Sequence, residues 1–266
     1  MRKRFFNEFL YQVFALIVAA IAVHAVYVTV IRPRATEIIA EQALRVQEEF
    51  GYTPERTIWV LIRDYEQEAC FILMLWAFAI MAYKAYVALN ERSLLQQNFL
   101  HVREGVKILP EDTREYSRAL QSLPERTRNT LLPRVLLAAL ERFGSTKSVQ
   151  DVSSVANSAC DSESERLESE LSMIRYIAWA IPSIGFIGTV RGIGAALGEA
   201  HRAVEGDIAG VTENLGIAFN STFVALMISI VVMFLVHQLQ LLQERLVFDT
   251  QTYVDHNLIR HMQTRD

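Results

Sequence analysis

The sequence predicts an all-α membrane protein with four transmembrane helices and with long helices that extend into the cytoplasm. Of the 266 residues, 52% are hydrophobic, and they are concentrated in four blocks. Each block holds about 20 mostly apolar residues, the length that a helix needs to cross a bilayer. Outside the blocks, apolar residues recur at threes and fours, which is typical of helices with one buried face.

The first block has an N-terminal flank that predicts its orientation. The basic residues 2–4 precede it, and they favour a cytoplasmic N-terminus. The block is longer than the apolar part of a secretory signal and lacks a small-residue cleavage site after it, so we interpret it as a retained span. The four predicted spans are residues 9–31, 70–89, 174–197 and 215–236.

This orientation divides the chain into segments and places both termini in the cytoplasm. The link 198–214 between the last two spans then lies on the outer side of the membrane, opposite the cytoplasm. Arg32 and Arg34, just beyond the first span, do not fit the positive-inside pattern. The predicted segments are a two-span region 1–89 with an outer loop 32–69, a cytoplasmic helical domain 90–173, a pair of spans 174–236 and a cytoplasmic helical tail 237–266.

Charge and cysteine content exclude several classes of function. The net charge of −4 does not favour a nucleic-acid partner. Cys70 and Cys160 are too few for a disulfide framework or a metal site, and the predicted topology puts them on opposite sides of the membrane. No nucleophile–base pair or metal-ligand pattern is visible, so we expect neither an enzyme nor a cofactor.

Small and hydroxyl-bearing residues follow one face of each of the last two spans. Such faces let membrane helices approach closely. In the third span the face contains Gly185, Gly188 or Thr189, and Gly192, and in the fourth span it contains Ala218, Thr222, Ala225 and Ser229, flanked by Asn220 and Ser221. In the tail, Leu235, Leu239, Leu242 and Leu246 form a heptad-like seam.

Thr189 and Thr222 lie at similar depths. Thr189 is eight residues from the outer end of its span and Thr222 is seven from the outer end of its own. With the rise of an α-helix, both lie about 11–12 Å below the outer boundary. The two hydroxyls are therefore candidates to line one ion pathway, with Ser221 and Asn220 as further polar candidates. The alternative is that both faces serve helix packing alone.

No Asp or Glu falls within the four predicted spans, whereas His24, Lys84 and Arg191 do. If the protein moves protons, the carboxylate that binds them must then come from another chain. We interpret His24 as a packed, neutral histidine, and Lys84 is close enough to the inner end of its span to reach the interface.

Arg191 has two interpretations, an anchor that reaches the outer interface or an ion-pair partner at the mouth of a pathway. It lies two residues beyond Thr189 and therefore about 200° around the helix from it. We expect Arg191 to contact a neighbouring helix or the acidic residues of the link, which are Glu199, Glu205, Asp207 and Glu213.

Two stretches resemble the MotA/TolQ/ExbB family, the channel-forming subunits of proton-driven bacterial motors. They are IPSIGFIGTVRGIGAAL (181–197), with Pro182 and the Gly-Thr-Val of 188–190, and LGIAFNSTFVALMISI (215–230), in which Thr222 matches a threonine of the family. The order of segments also resembles the family layout: a large cytoplasmic segment, two pore helices joined by a short outer link, and a helical tail.

The resemblance implies a homopentamer in the bacterial inner membrane around two copies of a single-span partner. That partner carries the ion-binding Asp, and the ion is a proton, with sodium as the alternative. The long outer loop, the absence of a glutamate near Ile217 and the charge of Arg191 differ from parts of the family, so the driven load stays open among flagellum, envelope energisation, defence and gliding. The alternative function is a non-conducting helical membrane scaffold.

Overall fold

The computed structural model describes residues 2–48, 57–100 and 106–264, with side chains from residue 8 onwards except that of residue 47. Three parts of the sequence-based predictions lie outside the described residues. They are the basic side chains 2–4 that orient the first span, residues 49–56 of the predicted outer loop, and residues 101–105 of the predicted cytoplasmic domain.

Helices make up nearly all of the described chain. They are α1 (Arg2–Val26), a π-helical turn (Tyr27–Ile31), α2 (Arg32–Glu48), α3 (Ile58–Leu61), α4 (Tyr65–Leu94), α5 (Thr113–Gln121), α6 (Glu125–Arg128), α7 (Leu131–Thr146), α8 (Val149–Glu170), α9 (Ser172–Gly198), α10 (Ala200–Val204), α11 (Ala209–Asn257) and a 3₁₀ turn (Ile259–His261). Within the described residues, the one extended pairing is an isolated parallel bridge between Ile108 and Met262. The predicted all-α class is confirmed.

Four helical stretches are long and apolar enough to cross a membrane, and they contain the four predicted spans. They are Glu8–Val46, Tyr65–Leu94, Val149–Gly198 and Ala209–His261. Each extends beyond the apolar block that predicted it, because a helix continues as long as its backbone bonds and packing are favourable, whatever the polarity of its ends.

The segment 32–69, which the sequence analysis treats as an outer loop, is largely helical where it is described. α2 follows the π-helical turn without a break and continues to Glu48. The turn lies just before Pro33, whose missing N–H removes one helical hydrogen bond from the preceding turn. α4 begins at Tyr65, five residues before the predicted second span, and so its first turn includes Glu66 and Glu68.

The chain divides into two compact units. The membrane unit consists of Met1–Ala82 and Met173–Val236, and the helical unit consists of Tyr83–Ser172 and His237–Asp266. The buried residues of α9 in the membrane unit are aliphatic at its start and then glycine or alanine: Ile174, Ile177, Ala178, Ile181, Gly185, Gly188, Gly192 and Ala196. Cys70 and Cys160 are both free and buried.

The helical unit has its core around α7. Leu136, Leu140 and Phe143 on one face of this helix are fully buried, and they pack with Val152 of α8 and Val254 of α11. The period of three and four that α7 shows in the sequence therefore marks a core-facing helix.

Ion pairs surround two buried charges of the helical unit. The Glu163 side chain is buried and pairs with Arg134 at 2.8 Å and with Arg166 at 2.5 Å. Lys84 is also buried and pairs with Glu170 at 2.8 Å, so it is held within the protein and does not reach out to the interface. Buried charges need such partners because desolvation is costly.

The tail seam differs from the one expected. Leu239 and Leu246 are buried, but Leu235 is exposed and Leu242 is only half-buried. Gln243, Thr250 and Val254 occupy the other buried positions of α11 in the helical unit. The hydroxyl of Thr250 donates to the carbonyl of Leu246 at 2.8 Å, which satisfies its buried hydrogen.

Candidate functional site

α9 and α11 approach each other most closely along the predicted small-residue faces. Gly185 faces Ala225, Gly188 faces Ser221, and Gly192 faces Ala218, as expected for antiparallel helices. A Cβ atom on Gly192 would lie 2.8 Å from both Cβ and the backbone N of Ala218, closer than packed atoms ever come. The three glycines therefore permit the close approach, which larger side chains would prevent.

Pro182 creates a backbone problem that the partner helix solves. Proline has no N–H, so the carbonyl of Ala178, four residues earlier, cannot receive its helical hydrogen bond. The hydroxyl of Ser229 on α11 donates to this carbonyl at 3.3 Å. An unsatisfied carbonyl is costly away from water, so Ser229 stabilises both the proline position and the helix pair.

Thr189 and Thr222 contact each other directly through their hydroxyl oxygens. Each also bonds to the backbone of the opposite helix: Thr189 Oγ1 donates to the carbonyl of Ala218 at 3.0 Å, and Thr222 Oγ1 donates to that of Gly185 at 3.0 Å. Both acceptors lie four residues before the opposite threonine, so the arrangement is reciprocal. The two hydroxyls, for which the sequence predicts similar depths, thus contact each other within one chain.

The number of hydrogens and lone pairs on the two hydroxyls determines which further groups the pair can bind. A threonine hydroxyl has one hydrogen to donate and two lone pairs to accept with. Because the two hydrogens can serve only two of the three contacts at once, one hydroxyl donates to the other and the other donates to a backbone carbonyl, and each oxygen keeps at least one free lone pair. Both threonines are half-buried in the single chain. The pair can therefore accept a hydrogen bond from water or from a protonated group, or donate an oxygen ligand to a cation.

Ser221 and Asn220, the other two polar candidates, do not bond to the threonine pair. Ser221 is fully buried beside Gly188, and its hydroxyl donates to the carbonyl of Ile217 on its own helix at 2.9 Å. Its position is a packing position between α9 and α11. Asn220 is half-buried and takes no part in the threonine contacts. The structure brings Thr189, Thr222 and Ser221 together and leaves Asn220 beside them.

Arg191 forms a two-point ion pair with Glu66 of α4. Its Nε donates to Oε1 at 2.6 Å and its Nη2 donates to Oε2 at 2.9 Å. The partner is thus on a neighbouring helix, and not on the acidic link. Of the four link acids, Glu213 pairs with Arg63 at 3.1 Å.

Glu66 is a residue that the sequence analysis did not single out. Its side chain is only 12% exposed, and its Cγ atom lies beside Gly188, one residue from Thr189. The apolar run that predicted the second span begins at Cys70, so Glu66 fell outside it. The short spacing of Glu66 and Glu68 before an apolar block was the available signal, since acidic residues favour the first turn of a helix.

Comparison with known proteins agrees with the resemblance seen in the sequence. Residues 127–252 match the model of the MotA/TolQ/ExbB proton channel family. The chain thus contains a region that is similar to this family. The matched region contains Pro182, the three glycines and both threonines, so it covers the whole contact between α9 and α11. Neither the curated proteins nor the solved structures give a match.

The match to the MotA/TolQ/ExbB family model supports a channel protein over an enzyme, and the four apolar helices support a membrane location. The family match begins in α6 and ends in α11, so all of α1 to α5 lies before it. Glu66, which holds Arg191, is therefore contributed by a part of the chain that the family model does not cover.

Alanine at the interface glycines is expected to separate α9 from α11. Gly185→Ala and Gly192→Ala place a methyl group against the opposite helix, and each should lower the free energy of unfolding by roughly 1–3 kcal/mol. Gly194→Ala is the matched control, because the space beside Gly194 is open to 4 Å. Thermal unfolding in detergent compares the three variants, and equal losses in all three would contradict the close-approach argument.

Arg191→Leu and Glu66→Gln are each expected to lower the free energy of unfolding by about 1 kcal/mol. The double variant should lose little more than the worse single variant, since both changes break one pair. Arg202→Leu on the exposed helix α10 is the control and should be neutral. Additive losses, or unchanged unfolding with a changed ion preference in flux assays, would show that Arg191 does not act through Glu66.

Proposed function

We propose that this protein is the channel-forming subunit of a proton-driven motor in the bacterial inner membrane. Five copies form a ring around a dimer of a single-span partner, and an Asp of that partner binds the ion. The match of residues 127–252 to the MotA/TolQ/ExbB family model supports this proposal, as does the order of the segments along the chain. The link between α9 and α11 then faces outwards, and both termini are cytoplasmic.

The observation that carries the proposal is the paired hydroxyls of Thr189 and Thr222 on two closely packed membrane helices. Their oxygens keep acceptor capacity after both hydrogens are used, so they suit a route along which water or a protonated group passes. Sodium is the alternative ion, because hydroxyl oxygens also ligate hard cations. Ser221 and Asn220 are the further polar groups proposed for this route.

The exposed surfaces of the same two helices support assembly into a ring. α9 exposes Phe186, Ile187 and Val190, and α11 exposes Phe219 and Phe223. Large apolar side chains on both helices fit contacts with lipid and with other membrane helices. Pro182, Gly185, Gly188, Gly192, Ala218, Ala225 and Ser229 serve the packing between α9 and α11 within one subunit.

Glu66 and Glu68, the two acids in the first turn of α4, already pair with arginines, which supports a partner chain as the source of the ion-binding Asp. Glu66 is held by Arg191 at two points, and Glu68 is held by Arg32. A carboxylate whose oxygens accept hydrogen bonds from an arginine has fewer lone pairs left to bind another group.

One observation favours the second candidate, a non-conducting membrane scaffold. Both threonine hydroxyls bond to backbone carbonyls of the opposite helix, and such bonds are sufficient to explain their presence by packing. A scaffold requires no flux of protons or sodium and no Asp-bearing partner, so a transport measurement separates the two candidates.

Thr222→Val tests the role of the hydroxyl in transport. Valine keeps the shape and removes the polarity, so the variant should lose proton flux by about tenfold or more, while Thr222→Ser should retain it. The protein is purified with its co-purifying single-span chain, counted by native mass spectrometry and reconstituted in vesicles that contain a pH-sensitive dye.

The proposal expects five copies and two partner chains in all three proteins, because one interhelical bond in a membrane contributes only about 0.6 kcal/mol. Equal flux in the valine variant would remove Thr222 from the pathway. A wild-type assembly that carries neither protons nor sodium would favour the scaffold.

A further inference from the structure

A groove in the helical unit lies between α5 and the C-terminal part of α7. Its volume is about 710 Å³, and small-molecule sites in proteins occupy about 300–1,000 Å³. Residues of the segment 110–121 form one wall, and residues of the segment 140–147 form the other. The first wall precedes the region 127–252 that matches the family model, so this half of the groove belongs to the part of the chain outside the match.

A close contact between α5 and α7 holds the two walls together. A Cβ atom on Gly144 would lie 2.8 Å from Oγ1 of Thr113, the first residue of α5. Thr113 is buried, and its hydroxyl donates to the carbonyl of Pro110 at 2.8 Å, so it cannot turn aside without losing that bond. Leu120 of α5 and Leu140 of α7 also belong to the same core. The groove therefore lies on packed helices, which give a binding site a fixed shape.

Three basic side chains line the groove, Arg114 and Arg118 from α5 and Lys147 from the end of α7. Arg114 and Arg118 are four residues apart, so they are neighbours on one face of their helix. In the part of the chain that the structure describes, none of the three side chains has an ion-pair or hydrogen-bond partner. Like charges at this spacing destabilise a helix. An anion bound by both arginines would therefore remove a repulsion that the α5 wall carries.

Lys147 has a backbone conformation that favours glycine. It follows the last residue of α7 with φ of 54° and ψ of 25°, in the left-handed region. Among the described residues it is the one non-glycine residue with a positive φ. This conformation is costly for a residue with a side chain, and glycine is the usual choice at the end of a helix. The lysine therefore supplies something that glycine lacks, a cation at the edge of the groove.

The remaining lining is mostly polar, which excludes an apolar ligand. Ser117, Gln121 and Ser145 offer hydroxyl and amide groups. Two acids, Glu111 and Glu141, also line the groove, so its three cations exceed its acids by one. A ligand with several negative charges close together fits the side on which the cations lie, and the acids oppose it.

We propose that the groove binds a small molecule that carries a chain of phosphate groups, such as a nucleoside triphosphate. Arginine suits phosphate because its planar guanidinium can donate two parallel N–H bonds to one group. Arg114 and Arg118 hold the phosphates from the α5 wall, and Lys147 attracts them from the α7 wall. The site lies within the helical unit, and it does not rest on ion transport along Thr189 and Thr222.

Calorimetric titration of the full-length protein in detergent, at low salt and without Mg²⁺, tests the site with two probes, ATP and inorganic triphosphate. We expect both to bind once per chain with Kd below about 1 mM. Arg114→Gln and Arg118→Gln should each weaken binding by roughly tenfold, because each removes charge-assisted bonds to the phosphates. Arg126→Gln is the matched control, since Arg126 of α6 is exposed and lies outside the lining, and it should bind as the wild type does.

Glu141→Gln supplies a test with the opposite sign. It removes a negative charge from the lining, so both probes should bind more tightly by roughly two- to fivefold. No binding of either probe to the wild type, or equal weakening in Arg126→Gln, would overturn the proposal. A glutamate-rich peptide that binds in place of both probes would also overturn it, because the groove would then serve an acidic protein segment.

Arginine modification by phenylglyoxal, followed by mass spectrometry, tests the same site in the wild-type protein. ATP should protect Arg114 and Arg118 from the reagent and leave Arg126 reactive. Equal protection of all three arginines, or of none, would contradict the assignment of the phosphates to the α5 wall. Neither measurement uses ion flux, so failure of the motor function and failure of this site give different results.

Discussion

The close approach of α9 and α11 is the constraint on which the membrane unit depends. Gly188 and Gly192 leave room for Ser221 and Ala218. The resulting short distance between the two helices lets Thr189 and Thr222 each reach the backbone of the opposite helix. In lipid, these contacts cannot draw on the hydrophobic effect, so close packing and hydrogen bonds must supply the stabilisation. The proline of α9 fits the same contact because a serine of α11 satisfies the carbonyl that it leaves free.

The first turn of α4 extends this arrangement to the other helices. Glu66 and Glu68 are two residues apart and therefore point about 200° away from each other. One carboxylate holds Arg191 of α9, and the other holds His24 of α1 and Arg32 of α2. Each acid has a basic partner, which lets Glu66 and Glu68 remain largely buried within a membrane unit. α4, which lies wholly outside the region matched by the family model, thus connects α9 to the first span.

The sequence was sufficient for features that depend on residue type and period. Apolar length predicted the four spans, and rise per residue predicted that Thr189 and Thr222 lie at similar depths. Apolar length failed for the start of α4, because polar residues continue the helix to Tyr65 and bring two acids with them. The His24–Arg32 face was also missed, since regular helical spacing separates the two residues and only the π turn brings them together. Arg32 did not fit the positive-inside pattern in the sequence. The structure shows that it is the partner of a buried acid, Glu68.

Photo-cross-linking from position 222 tests most directly whether the threonine pair faces the inside of an assembly. A photoreactive amino acid replaces Thr222 in the membrane-embedded complex, and mass spectrometry identifies what it captures. The account predicts capture of a separate single-span chain with an Asp in its span. Capture of lipid alone, or of this chain alone, would contradict the claim that Thr189 and Thr222 line an ion pathway around a partner.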